Sequence, residues 1–318
     1  MDAALILIRV VHFASSITVS GILLFRLLVA APALRLAGEE VPGSEALHRL
    51  LARILWISLA VAVASGAAWL LTKSAEITGG DWTEVIADDV AWTMLTQTRF
   101  GHAWMARLIV AAAIAIGMMA IDRRAQPVAR WWRELSAALS AVLVGTLAYS
   151  GHAGATPGMP GAIHLAADIL HLVAVGTWLG GLLPLALMLS AAERSGAPAW
   201  DEVVVAAAYR FSTLGRTSVA ILIVTGLVNS WYLVGSLPAL IETEYGRLLL
   251  LKLTVFVAML VIAAINLLRL TPRLPEAASI HQLRRNALIE AALGLAVVAL
   301  VSVLGTVPPA LHMSGHVH

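Results

Sequence analysis

The sequence predicts an all-α membrane protein of eight transmembrane helices, arranged as two parallel four-helix repeats with both termini outside. Three observations carry that expectation. Apolar residues make up 60% of the chain and charged residues 13%, a balance far from that of a soluble domain. Apolar stretches recur at roughly the 20-residue length that a bilayer demands. Lys and Arg gather at alternate connections between those stretches.

The stretches fall at 3–30, 52–72, 102–121, 135–150, 164–189, 212–234, 247–270 and 287–307. The first follows Met1-Asp2, which lacks a basic n-region, so it is expected to remain as a span rather than be cleaved. The second follows a connection flanked by Arg26, Arg35, Arg49 and Arg53. An acidic connection with Glu76, Asp81, Glu84, Asp88 and Asp89 leads to the third. Arg123, Arg124, Arg130 and Arg133 stand before the fourth, which is the shortest. A loop rich in Gly and Pro opens into the fifth, and Arg194, Arg210 and Arg216 lie between fifth and sixth. Glu242 and Glu244 precede the seventh, and Arg269, Arg273, Arg284 and Arg285 separate it from the eighth. Basic residues collect on the cytoplasmic side, so the odd-numbered connections face in and both termini face out. This bias accounts for the net charge of +2 and gives no reason to propose nucleic acid as a partner. Trp82, Trp92, Trp131, Trp132 and Trp200 lie near expected helix ends, where indoles favour the membrane interface.

On that topology the histidines sort by side. His12, His102, His152, His164, His171, His312, His316 and His318 belong to the outer face, against His48 and His281 on the inner. Cysteine is absent, which removes disulfides, thiolate ligands and iron–sulfur clusters. An outer metal site must therefore use His, Met, Asp or the terminal amine. The densest candidate is His164, Asp168 and His171 at the mouth of the fifth helix, which fall within roughly 60° of arc on one face. Imidazole and carboxylate together suit a transition metal such as copper or zinc. The alternative is structural: Asp168 pairs with a basic residue while the histidines sit at headgroup level. Met159, in the loop that also holds His152, and the His312-Met313 tail add soft and imidazole donors.

A shift of about 160 residues lays the halves on each other. His12 meets His171, Thr18 meets Thr177, Gly21 meets Gly180, Ser65-Gly66 meets Thr225-Gly226, and Gly145-Thr146 meets Gly305-Thr306. A shift of about 145 lays Arg107 on Lys252. The expected units are 1–159, 160–309 and a His-rich tail over 310–318, with His12 and His171 at matching depth across the repeat axis. Arg9 takes the place of Asp168, so that pair has the makings of a salt bridge. Arg107 and Lys252 are expected to pair with Asp168, Glu242 or Glu244, and Thr225, Asn229 and Ser230 to bond between helices or line a passage.

The run His164-x3-Asp168-x2-His171 through Trp178-x-Gly180-Gly181, the segment Thr243-x-Tyr245-Gly246-Arg247 to Lys252-Leu253, and the terminal Pro308-Pro309 resemble the copper resistance protein D family, CopD/PcoD. The likeness is best over about 160 to 309, and the first half looks like a diverged copy. The resemblance implies a multi-pass protein of the bacterial inner membrane, not an enzyme, that moves copper ions inward from the periplasm alongside a small periplasmic copper-binding protein. On that reading the metal residues are His171, His164, Asp168 and His12, with His152, His102, Met159 and His312 in support. No ladder of Met or His continues inward from His171. The rival reading is a b-type haem electron carrier with His12 and His171 as the axial pair.

Overall fold

The computed structural model describes residues 2–37, 41–87, 89–121, 126–151 and 158–313. Among them are seven helices long and apolar enough to cross a membrane. We label the chain's main helices α1 (Ala3–Leu36), α2 (Ser44–Thr78), α3 (Arg99–Ile121), α4 (Gln126–Gly145), α5 (Gly158–Ser195), α6 (Ala199–Leu233), α7 (Glu244–Arg273) and α8 (Ala277–Leu304). The fourth expected span exists as α4, but as a helix only: its 20 residues include Arg130, Arg133 and Glu134, which deny it an apolar run of spanning length. A 3-10 turn over Thr146–Ser150 completes it, so the stretch expected at 135–150 begins earlier and ends in tightened backbone.

The helix ends follow local chemistry. Gly79 ends α2 in the left-handed region at φ 72, where glycine is tolerated without penalty. Thr243 caps α7 by accepting the Gly246 amide at 3.0 Å. The acidic connection is structured, with short helices at Trp82–Ala87 and Val90–Gln97. There the Thr83 hydroxyl and the Thr83 and Glu84 amides hold the Asp81 carboxyl below the usual carboxylate range.

α1 and α5 form the centre. Each packs on the other and on both α4 and α8, while α2 leans on α1 and α6 leans on α5. Burial agrees: 61% of the most apolar window of α5 and 56% of that of α1 are covered, against 11% for α7. The uncovered apolar faces, with Ile109, Leu227, Trp231 and Leu268, are where lipid belongs. Backbone meets backbone at the central seam. A Cβ on Gly21 would lie 2.0 Å from the Gly180 carbonyl carbon, and one on Gly180 would lie 2.4 Å from the Ile17 carbonyl oxygen. Small residues permit such approaches, and dispersion between close-packed helices then holds them in lipid.

At the end carrying most of the arginines, Trp200 is buried rather than interfacial. Its Nε1 donates to the Pro42 carbonyl at 2.9 Å and ties the first turn of α6 to the α1–α2 connection. Trp82, Trp92 and Trp131 are exposed, as interface indoles should be. Glu193 at the foot of α5 pairs with Arg284 at 2.8 Å and His281 at 3.3 Å on α8.

Candidate functional site

α5 starts six residues before His164, so His164 lies well inside the helix and not at its mouth. Gly158 opens the helix at φ +70, and Pro160 fits the first turn, where its missing N–H is no loss. His164 is 1% exposed and stacks on Tyr232 of α6, with ring centroids 5.0 Å apart and planes 13° from parallel. One turn deeper, the Asp168 Oδ1 accepts from Asn229 Nδ2 at 3.2 Å. Deeper again, His171 Nδ1 meets Thr225 Oγ1 at 2.9 Å. The Thr225 hydroxyl already donates to the Ile221 carbonyl at 2.6 Å, so it is the acceptor here. His171 therefore carries its proton on Nδ1 and presents Nε2 as a lone pair, the assignment following from its partners. Lys252 of α7 acts electrostatically on both Asp168 and His171, and Tyr245 feels the Asp168 charge as well.

The one-face spacing does not gather His164, Asp168 and His171 around a point. Among the described residues, no group of three or more His, Asp or Glu side chains is placed to hold a metal ion. The reason is axial: seven residues of helix rise about 10 Å, so the two imidazoles sit at different depths and turn to different partners.

His12 is held as His171 is. Its Nδ1 bonds the Ala62 carbonyl at 3.0 Å and meets Ser65 Oγ at 3.2 Å, and Ser65 in turn donates to the Val61 carbonyl. A carbonyl only accepts, so His12 also carries its proton on Nδ1. Its Nε2 is buried without a hydrogen-bond partner. Around it stand Trp69 and Trp104, with centroids 5.7 and 5.0 Å from the imidazole, and their indole N–H groups are likewise buried and unpartnered. Arg9 lies 5.1 Å over the Trp69 ring and donates to the Gly305 carbonyl at 3.3 Å. Arg107 lies 4.8 Å over Trp104 and donates to the Thr146 carbonyl at 2.7 Å and to Ser150 Oγ at 2.6 Å. Arg107 is thus bonded by the turn that ends α4 and not by the acidic residues expected for it, with Nη1 buried and unpartnered.

Residues that the shift pairs recur in both places. Ser65 and Thr225 hold the two histidines, Gly21 and Gly180 touch, and Arg107 and Lys252 each stand near one imidazole. The remaining expected donors stand elsewhere. His102 is exposed, with its Nε2 on the Thr96 carbonyl at 2.8 Å. Met159 is 75% exposed. His152, His316, His318 and the side chain of His312 lie outside the described residues.

Sequence reasoning passed over Glu290, Asn266 and Asn286. Asn266 Nδ2 donates to Glu290 Oε1 at 2.6 Å, and Asn286 Nδ2 donates to Asn266 Oδ1 at 2.6 Å. The available signal was Glu290 itself, a lone charge within the eighth apolar stretch.

Two family models match the chain: the N-terminal domain of copper resistance protein D-like proteins over residues 1–162, and copper resistance protein D over 205–304. The stretch with His164, Asp168 and His171 falls between them. The first half, read from sequence as the weaker likeness, is the longer match. The chain is 29% identical to copper resistance protein D of Pseudomonas syringae pv. tomato, covering 97% of each chain. It is 29% identical to the inner membrane protein YebZ of Escherichia coli K12, over 96% of this chain and 98% of that one. It is also 30% identical to the copper transport protein CutJ of Bacillus subtilis 168, over 83% of this chain and 47% of CutJ. No solved structure matches it.

Proposed function

Starting from the fact that the chain belongs to the copper resistance protein D family, as a multi-pass protein of the inner membrane, we propose that it is a copper transporter that admits the ion through Asp168 and His171. The observation that carries this reading is the fixed pair itself: Asn229 orients the carboxylate and Thr225 orients the imidazole, inside a membrane helix. Ionisable groups are expensive there and earn their place through ions or protons. A second hydrogen bond that fixes the tautomer of a histidine is also how proteins aim Nε2 at a metal.

In the metal-free protein the Lys252 ammonium balances the Asp168 charge. An arriving copper ion replaces that balance and takes His171 Nε2 and a carboxylate oxygen as ligands. His164 passes copper to that pair, His12 stays enclosed by Trp69 and Trp104 and takes none, and His152, His102, Met159 and the His312 tail collect copper at the outer face. A small periplasmic copper-binding protein delivers it. The two halves are parallel repeats, both termini are periplasmic, and copper moves toward the arginine-rich end.

Orientation is open to direct test because the chain has no cysteine. A cysteine at exposed Thr83 should react with an impermeant thiol reagent in spheroplasts, and one at exposed Ala278 should not; the reverse pattern would invert the transport direction. For transport itself, proteoliposomes holding the wild-type protein should accumulate copper above protein-free vesicles. No accumulation, together with a Soret band in the purified protein, would move the two histidines to haem ligation.

A further inference from the structure

A cavity of about 210 Å³ opens among α5, α6, α7 and α8 on the arginine-rich side of the bundle, and Glu290 forms part of its wall. Glu290 lies five residues past Arg285 on α8 and is 1% exposed. One of its oxygens, Oε1, accepts from Asn266; the other, Oε2, is buried and has no hydrogen-bond partner. The carboxylate is held from behind by a chain of amides. Gln282 donates to Asn286 at 3.1 Å, Asn286 to Asn266 at 2.6 Å, and Asn266 to Glu290 at 2.6 Å, so each donor points toward Oε1.

The backbone is shaped for the same contact. Asn266 begins a π-helical turn over Asn266–Leu270, and the Thr271 hydroxyl donates to the Asn266 carbonyl at 2.9 Å. A π turn inserts a residue into the helical ladder and is often found where a side chain must be re-aimed for function. Here it stands at the residue that grips Glu290.

The wall of the cavity narrows what it can take. Trp178, Leu182 and Leu185 come from α5, Phe211, Ser212 and Arg216 from α6, Asn266 and Thr271 from α7, and Leu283 and Ala287 from α8 beside Glu290. Arg216 and Glu290 are the ionisable lining residues; α5 and α7 contribute none. Neither His nor Met lines it, so it lacks the donors copper prefers and offers carboxylate, amide and hydroxyl oxygen. A carboxylate at the wall of a largely apolar cavity, with one oxygen bonded and the other buried and unpartnered, meets its remaining need most simply with a proton.

We infer that Glu290 is a proton-binding site on the inner half of the protein, loaded and emptied through this cavity, with Asn266 and Asn286 as positioning residues. It is separate from the outer pair, and copper transport coupled to proton movement is the use to which it is put. The site stands on its own geometry; the coupling rests on the transport reading.

Dicyclohexylcarbodiimide tests the site without copper. It is apolar and modifies a carboxyl group that holds a proton, so mass spectrometry of the full-length protein in liposomes reads Glu290 occupancy. Modification at Glu290 should fall as pH is raised, persist in Glu290→Asp and vanish in Glu290→Gln. Asn266→Leu, which removes the donor to Oε1, should move the pH at which modification falls, an effect that a purely structural role would not produce. A Glu290 peptide that stays unmodified, or is modified equally at every pH, overturns the inference. Copper uptake by the same liposomes then tests the coupling: Glu290→Gln should flatten its pH dependence at least fivefold. Undiminished pH dependence would overturn the coupling. Absent uptake in the wild type would overturn the transport reading while leaving the labelling result in force.

Discussion

His12 and His171 have their ring proton on Nδ1 and lean on a hydroxyl of the following helix, Ser65 in one case and Thr225 in the other. Their surroundings differ in kind. About His12 stand two indoles and two guanidinium groups, and a Cβ on Gly66 would lie 2.0 Å from the Trp104 ring. About His171 the positions that the shift pairs with Trp69 and Trp104 hold Asn229 and Leu249, and the position of Arg9 holds Asp168. A Cβ on Gly226, the counterpart of Gly66, would lie 3.8 Å from the His171 ring. One histidine thus stands in an aromatic cage and the other one turn from a carboxylate. On the proposed reading, copper belongs to the second.

The seam between the halves underlies that contrast, and breaking it should have the largest effect. Gly180→Leu places a branched side chain where backbone now passes, and overpacking at a site with no flexible neighbour costs more than about 3 kcal/mol. Loss of the folded protein from membranes, read by fluorescence-detected size exclusion, is the expected outcome. Trp104→Leu should come next: it gives the first half the residue of the second. Removing most of a buried indole costs up to about 3 kcal/mol, measurable as a lowered melting temperature, and copper titration should reveal a second, weaker equivalent at the uncovered His12. Unaltered stoichiometry would mean that the cage is not what excludes copper. Asp168→Asn preserves the shape and the contact with Asn229 but removes the charge. Copper affinity should fall about tenfold, or about 1.4 kcal/mol, with little change in folding. The smallest effect belongs to the tail. Truncation after Ala310 should reduce copper accumulation only at low external copper, because the tail's imidazoles raise the local copper concentration.

Much of this was legible in the chain. Apolar length gave α1, α2 and α3 and placed the others, since a bilayer leaves helices few alternatives. Spacing singled out His164, Asp168 and His171 on one face, and the shift matched Ser65 with Thr225 before any contact was known. Other features depend on packing between distant segments. One periodic face says nothing of axial separation, so the triplet looked like a cluster and is instead three residues with three partners. Trp200 reads as an interface indole until the Pro42 carbonyl is brought beneath it. Asn266, Asn286 and Glu290 lie on two helices with no motif between them, and the packing of α7 on α8, with the π turn starting at Asn266, brings them together. The extent of α4 was misjudged because charge interrupts its first turns, which hides a helix from any reading based on apolar runs.

The difference between the halves is most directly measured as the copper affinity of His171→Ala against that of His12→Ala, each purified as the full-length protein and titrated under the same conditions. Loss of one ligand of few should weaken binding at least tenfold, about 1.4 kcal/mol, in His171→Ala, while His12→Ala remains within about twofold of wild type. Equal losses in the two variants, or the larger loss in His12→Ala, would contradict the assignment of copper to the second half.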